Sequence, residues 1–167
     1  MAIPSENLVI TGFMGTGKST IGKKIAAKLK REFVDTDAEI ERRAGMSIPE
    51  IFEVQGEAAF RAMETELARE LATREKLVIS TGGGMLMNEE NRALLGSNGF
   101  VVCLVASPEA LEKRLQGARG RPLAAQWREL YEKRRPIYEL LPVHVDTSDR
   151  MPTAVIQEIL QRWLSSL

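Results

Sequence analysis

The chain has 167 residues, and 23 Lys and Arg balance 23 Asp and Glu, so its formal net charge is zero. At roughly 100–200 residues per domain, this length makes one domain. A composition of 44% hydrophobic and 28% charged residues excludes a disordered tail, a collagen and a disulfide scaffold, and the lack of a basic excess excludes a nucleic-acid coat. Cys103 is the single cysteine, which rules out an intrachain disulfide and suits a reducing compartment. The longest apolar run, Phe100–Ala106, is far short of the ~20 residues that span a bilayer. The start, Met1-Ala-Ile-Pro-Ser-Glu-Asn7, lacks the basic and apolar regions of a secretory signal. A cytoplasmic, monomeric protein with neither membrane nor nucleic acid as partner is expected.

Taken in chain order, short apolar strands alternate with amphipathic helices. Leu8-Val9-Ile10 predicts a buried strand, followed by a glycine-rich turn and a helix over about 18–30 with Ile21, Ile25 and Leu29 on one face. Glu32-Phe33-Val34 predicts a second strand ending at Asp35, and helices follow over about 38–44 and 48–54. A longer helix over about 57–73 repeats Phe60, Met63, Leu67 and Leu71 at helical spacing. Leu77-Val78-Ile79 predicts a third strand, closed by Gly82-Gly83-Gly84. A helix over about 88–95 precedes Phe100–Val105, a run suited to a strand covered on both faces. Ser107-Pro108 opens another helix, with Ser as cap and Pro in the first turn. After a break at 117–122, a helix over about 126–139 is expected to be interrupted at Pro136. Val143–Val145 predicts the last strand, and Pro152 opens a final helix expected to turn Ile156, Ile159, Leu160, Trp163 and Leu167 inward. Alternating strands and helices imply a parallel sheet with helices on both faces.

Gly12-Phe-Met-Gly-Thr-Gly-Lys18-Ser19 has the form G-x-x-x-x-G-K-[ST], between a strand and a helix. Glycines let successive backbone N–H groups point into one concavity, and a helix N-terminus adds partial positive charge for phosphate. Lys18 is placed to reach the β- and γ-phosphates, and the Ser19 hydroxyl to ligate Mg²⁺, which prefers oxygen donors. This segment predicts nucleoside triphosphate binding. Strand 77–79 ends in Ser80-Thr81, with no acid there to hold Mg²⁺, and no Asn-Lys-x-Asp guanine-reading motif is present. The acids stand instead at Asp35-Thr36-Asp37, at a strand carboxyl end, where open α/β sheets bind ligands. By spacing alone, they serve equally as metal and hydroxyl partners or as a helix cap with first-turn acids.

Several segments together resemble the shikimate kinase family: Gly12 to Gly22, Asp35-Thr-Asp37, Gly56-Glu57 with Phe60-Arg61, Thr81-Gly82-Gly83-Gly84, Arg121-Pro122-Leu123, and Arg134-Arg-Pro136-Ile-Tyr138. The resemblance covers nearly the whole chain in order. It implies a three-layer α/β/α P-loop kinase fold with a five-stranded parallel sheet of order 2-3-1-4-5, a substrate-binding segment at about 35–63 and a lid at about 115–126. It implies transfer of the ATP γ-phosphoryl group to the 3-hydroxyl of shikimate, on the route to chorismate and the aromatic amino acids. Asp37, Arg61, Arg134 and the glycines Gly82, Gly83 and Gly84 match the shikimate-binding positions. Gly15, Thr16, Gly17, Lys18, Ser19 and Thr20 match the phosphate loop. Arg121 matches the lid arginine that contacts ATP phosphates, and Arg114, Arg150 and Pro152 match positions beside the adenine. Ser19 matches the Mg²⁺ ligand, with Asp35 as its helper.

The chemistry of these residue types suits those roles. Arginine forks pair with a carboxylate, an aspartate accepts from hydroxyls and can act as general base, and Lys18, Mg²⁺ and Arg121 neutralise phosphoryl charge. Plainer readings stand beside them. Arg61 has Glu57 at i−4 and Glu64 at i+3 as helical partners, either of which can orient it. Arg114 and Arg150 suit solvated positions. Cys103, His144, Trp127 and Trp163 read as packing residues. A gluconate kinase-like enzyme and a non-catalytic nucleotide-binding module are the alternatives. The chain departs from the family in the lid, where thirteen positions separate Arg121 from Arg134 and Ala124-Ala125 follow Leu123. Charge is segregated: residues 32–57 hold eight acids and two bases, and residues 113–135 hold eight bases and two acids. This suits a basic lid segment closing over polyanionic ligands.

Overall fold

A computed structural model describes residues 2–116 and 126–167. The elements are β1 (Asn7–Gly12), α1 (Lys18–Leu29), β2 (Glu32–Asp35), α2 (Thr36–Ala44), α3 (Ile48–Gln55), α4 (Glu57–Ala72), β3 (Leu77–Ser80), a 3₁₀ turn (Met85–Met87), α5 (Glu89–Ser97), β4 (Gly99–Val105), α6 (Pro108–Gln116), α7 (Trp127–Leu140), β5 (His144–Asp146) and α8 (Pro152–Ser165). The strands form one parallel sheet of order β2-β3-β1-β4-β5, as expected.

Alternation along the strands divides the core. Leu8, Ile10, Val78, Val102, Leu104 and Val145 face α1 and α8, where they meet Ile25, Ile159 and Trp163. Val9, Ile79 and Cys103 face the other way, against Leu67 and Leu71 of α4, Leu111 of α6 and Tyr138 of α7. Covering both faces explains why β1 reads as an unbroken apolar run rather than an alternating one.

Two expectations are corrected. The helix over 127–140 passes through Pro136 without a break. Pro136 is exposed, and its cost is the missing N–H bond to the Glu132 carbonyl. Leu167 is 70% exposed beyond the end of α8, while Val155, not singled out by the spacing, is 1% exposed. The helix ends at Ser165 before a further turn can bring Leu167 round. The Ser107 cap forms as read, accepting from the Ala110 N–H at 3.1 Å. Most of the lid segment, Arg121 included, lies outside the described residues.

The carboxyl ends of β1, β2 and β3 all open on one side, where the switch between β3 and β4 around β1 creates a crevice. α7 closes that side, because Phe13 of the phosphate loop packs against Trp127 and Tyr131 with ring centroids 6.5 and 5.3 Å away.

Candidate functional site

The crevice is a cleft of about 1240 Å³. One wall is the turn between β1 and α1. Gly15 and Gly17 have φ values of 81° and 97°, in the left-handed region that favours glycine. The Thr16 hydroxyl donates to the Phe13 carbonyl at 2.6 Å and tightens the turn from inside. Gly15, Gly17, Lys18, Ser19 and Thr20 line the cleft, whereas Thr16 is buried behind them. The Lys18 ammonium donates to the Gly12 carbonyl at 2.6 Å. Loss of hydration in this setting lowers its pKa to about 8, against the opposing pull of Asp37.

The second wall begins where β2 ends. Asp35 caps the next helix, one of the two readings its spacing allows, and also reaches Ser19. Its Oδ1 accepts from the Ala38 N–H at 3.1 Å and caps α2, and its Oδ2 accepts from the Ser19 hydroxyl at 2.9 Å. Among the described residues, no cluster of three or more His, Cys, Asp or Glu can hold a metal. Ser19 and Asp35 are nonetheless oxygen donors on the cleft wall, side by side. They fit a Mg²⁺ ion that takes its remaining ligands from phosphate and water, its usual habit in such sites.

Asp37, in the first turn of α2, faces the Gly82–Gly84 turn that follows β3. A Cβ at Gly82 would collide with the Asp37 carboxylate. Burial, and then the neighbouring Asp35, push the Asp37 pKa up, with Lys18 opposing. The same turn receives two arginines. A Cβ at Gly84 would lie 2.8 Å from Arg61 Nη1 and 3.1 Å from Arg134 Nη2, and one at Gly83 would lie 2.8 Å from Arg134 Nη1. Arg61 comes from α4 and Arg134 from α7, 73 positions apart in sequence. Both helical partners of Arg61 are realised: it pairs with Glu64 at 2.7 Å and with Glu57 at 3.4 Å. Glu64 is 1% exposed, and burial raises its pKa despite Arg61. Arg134 forms no salt bridge among the described residues, and the segment 117–125 contains no acid.

The remaining expected residues divide. Arg114 lines the cleft and acts as a clamp, donating to the Gly15 carbonyl at 3.0 Å and to Thr147 Oγ1 and O at 3.0 and 2.7 Å. Arg150 and Pro152 do not line this cleft. Arg150 is engaged with the Asp146 carbonyl at 2.8 Å and Glu158 at 2.9 Å, and Pro152 is the first residue of α8. Several contributors carried no sequence signal. The Thr36 hydroxyl accepts from the Gly82 N–H at 2.9 Å, and Ile48, Pro49 and Phe52 of α3 form an apolar wall. Only the pairing of β2 with β3, Asp35 opposite Ser80, brings Thr36 to that amide.

Comparison with known proteins shows the family. The protein-family model for shikimate kinase matches residues 14–164. Shikimate kinase from Chromohalobacter salexigens is 46% identical over 162 residues, covering 93% of this chain and 90% of that one. The enzyme from Pelotomaculum thermopropionicum is 41% identical over 161 residues, covering 93% and 94%. The structure of Acinetobacter baumannii shikimate kinase in complex with shikimate superposes with a TM-score of 0.86 at 38% identity, covering 97% and 94%. A gluconokinase from Sinorhizobium meliloti shares the fold at a TM-score of 0.64 and 20% identity. The chain therefore belongs to the shikimate kinase family.

Proposed function

We propose that this protein transfers the γ-phosphoryl group of ATP to the 3-hydroxyl of shikimate, giving shikimate 3-phosphate and ADP for aromatic amino acid synthesis. The observation that carries the reading is the convergence of Asp37, Arg61 and Arg134 on Gly82–Gly84, in the same cleft as Lys18 and Ser19. Two guanidinium groups, one of them without an ion pair, call for an anionic acceptor. A half-buried aspartate lining the same cleft calls for a hydroxyl.

In this reading Arg61 and Arg134 bind the carboxylate of shikimate, and the glycine turn brings backbone N–H groups close to the ring. Asp37 accepts the proton of the 3-hydroxyl as its oxygen bonds to the γ-phosphorus, and the bond from that phosphorus to the β-phosphate oxygen breaks. Its raised pKa suits a base that must release the proton again. Lys18 and the lid residue Arg121 neutralise charge on the transferring group. Gly15, Gly17 and Thr20 carry the phosphates, Thr16 braces them, and by resemblance Arg114 and Arg150 flank the adenine with Pro152 nearby, the last two from outside the cleft that holds Lys18 and Asp37. Ser19, with Asp35 bonded to it, would hold Mg²⁺, which when bound would supply charge screening for the phosphate oxygens. The reading includes one domain with a substrate segment at about 35–63 and a lid at about 115–126, working as a cytoplasmic monomer. Among the described residues, no helix is long and apolar enough to cross a membrane.

The test is ADP release from MgATP with and without shikimate. Release that depends on shikimate is the expected result. Release that instead follows gluconate or another sugar acid would replace the acceptor, and no acceptor-dependent release at all would overturn the reading.

A further inference from the structure

The glycine turn is held from behind by a residue that the reading above leaves without a role. Tyr138 lies on α7 one turn after Arg134, is 4% exposed, and donates its phenol hydrogen to the Gly83 carbonyl at 2.6 Å. We propose that Tyr138 is a positioning residue for the acceptor, fixing the Gly83–Gly84 peptide so that the Gly84 N–H is presented to an oxygen of shikimate. The inference rests on shikimate as the acceptor.

The turn's own hydrogen bonding supports this. The N–H groups of Thr81, Gly82 and Met85 are taken by the Ile10 carbonyl at 3.0 Å, Thr36 Oγ1 at 2.9 Å and the Gly82 carbonyl at 3.2 Å. Among the described residues, those of Gly83 and Gly84 donate to no protein group. Two adjacent free donors in a cleft are open for a ligand. A trans peptide sets N–H opposite C=O, so a carbonyl bonded to α7 turns the next N–H away from α7. Among the described residues, no other hydrogen bond restrains that oxygen.

Position and chemistry agree. A Cβ at Gly83 would lie 2.8 Å from Arg134 Nη1 and 3.6 Å from the Tyr138 hydroxyl, so one helix turn carries both the cation and the brace. The end of that helix is pinned in turn, with His144 Nε2 2.7 Å from the Tyr138 carbonyl. Burial pushes the Tyr138 pKa up to about 12, which keeps the hydroxyl a donor across the working pH range. A residue that only packs would need the ring, which Phe supplies, and not the hydroxyl.

Tyr138→Phe tests the proposal. The shikimate KM is expected to rise about fivefold to tenfold, the scale of one buried hydrogen bond, while the MgATP KM stays within about twofold. The protection that bound shikimate gives the Gly84 amide against hydrogen exchange is expected to shrink in the variant. An unchanged shikimate KM with unchanged protection overturns the proposal, whatever happens to the melting temperature. Should the variant fold poorly, the unaltered protein gives a second readout: shikimate is expected to protect the Gly84 amide from exchange, and no protection overturns the proposal. If the unaltered enzyme releases no ADP with shikimate, the assigned acceptor fails. The amide ¹H–¹⁵N shifts of Gly83 and Gly84, compared between the two proteins, then still show whether Tyr138 holds the turn.

Discussion

The Ser19 hydroxyl donates to Asp35 Oδ2 at 2.9 Å, joining the first turn of α1 to the end of β2 across 16 positions of sequence. The second oxygen of the same carboxylate caps α2, so the group cannot rotate freely. A metal ligand oriented in this way loses affinity when its support is removed. Asp35→Ala is expected to raise the Mg²⁺ concentration needed for half-maximal rate by about 10–100-fold, read from rate against free Mg²⁺ at saturating nucleotide. An unshifted Mg²⁺ profile would leave Asp35 as a helix cap only.

Lys18 has a lowered pKa of about 8. A phosphate brings negative charge that raises it again, so binding MgATP near pH 8 is expected to take up a proton. Calorimetry in buffers of different ionisation enthalpy measures this uptake directly. Affinity is then expected to fall with rising pH above about 8, by at most tenfold per unit. The stability sign follows from the same shift. The folded pKa lies below the unfolded one, so the cost of burying the ammonium is present in full below about pH 8. It fades as pH rises from there toward 10.5. A pH-independent proton balance would contradict the assignment.

Gly82→Ala places a methyl group against the Asp37 carboxylate. The carboxylate is the end of a side chain and can move, so the fold is expected to survive while Asp37, the proposed base, is displaced. Turnover is expected to fall about 100-fold, the usual scale for ångström-level misplacement of a reacting group, with circular dichroism unchanged. Near-normal turnover would show that Asp37 is not held by contact with this turn.

Arg61→Ala is expected to abolish shikimate binding and leave MgATP binding intact, as measured by calorimetry. Equal loss of both ligands would count against the assigned role. It also strands Glu64, which is 1% exposed. Because Arg61 is itself half-buried, a stability loss of about 1–3 kcal/mol is expected. Burial already raises the Glu64 pKa, and removing Arg61 raises it further. The deficit is therefore full above that raised pKa and shrinks as the pH falls through it and the acid becomes neutral. Glu64→Gln in the same chain is expected to restore much of the stability at neutral pH but not the binding.

Arg114→Ala releases the Gly15 carbonyl from Thr147. The MgATP KM is expected to rise about tenfold, the scale of charge-assisted bonds to a backbone carbonyl, with the shikimate KM unmoved. A selective rise in the shikimate KM would place Arg114 elsewhere in the cycle.

Through resemblance the amino-acid sequence implied the strand order; by itself it determined the strands, the phosphate loop and most helix positions. Those follow from local rules: apolar runs where two faces are covered, glycines where the backbone turns left-handed, and Ser107 where a helix needs a cap. It also singled out Asp37, Arg61 and Arg134, through resemblance. It misjudged Pro136 and Leu167, because an exposed helix can forgo one hydrogen bond and a chain end need not complete its turn.

What only the tertiary structure decided is which groups meet. Two readings of Asp35 looked exclusive in the sequence, yet a carboxylate has two oxygens, and the sheet places one at Ser19 and the other at Ala38. Arg61 and Arg134 are neighbours only because α4 and α7 both pack against the 3₁₀ turn that follows β3 and bring both to the same glycine turn. Thr36 and Tyr138 hold that turn from opposite sides, through the Gly82 N–H and the Gly83 carbonyl. Periodicity tells each helix which face to bury. The partner it meets there depends on the packing of the sheet.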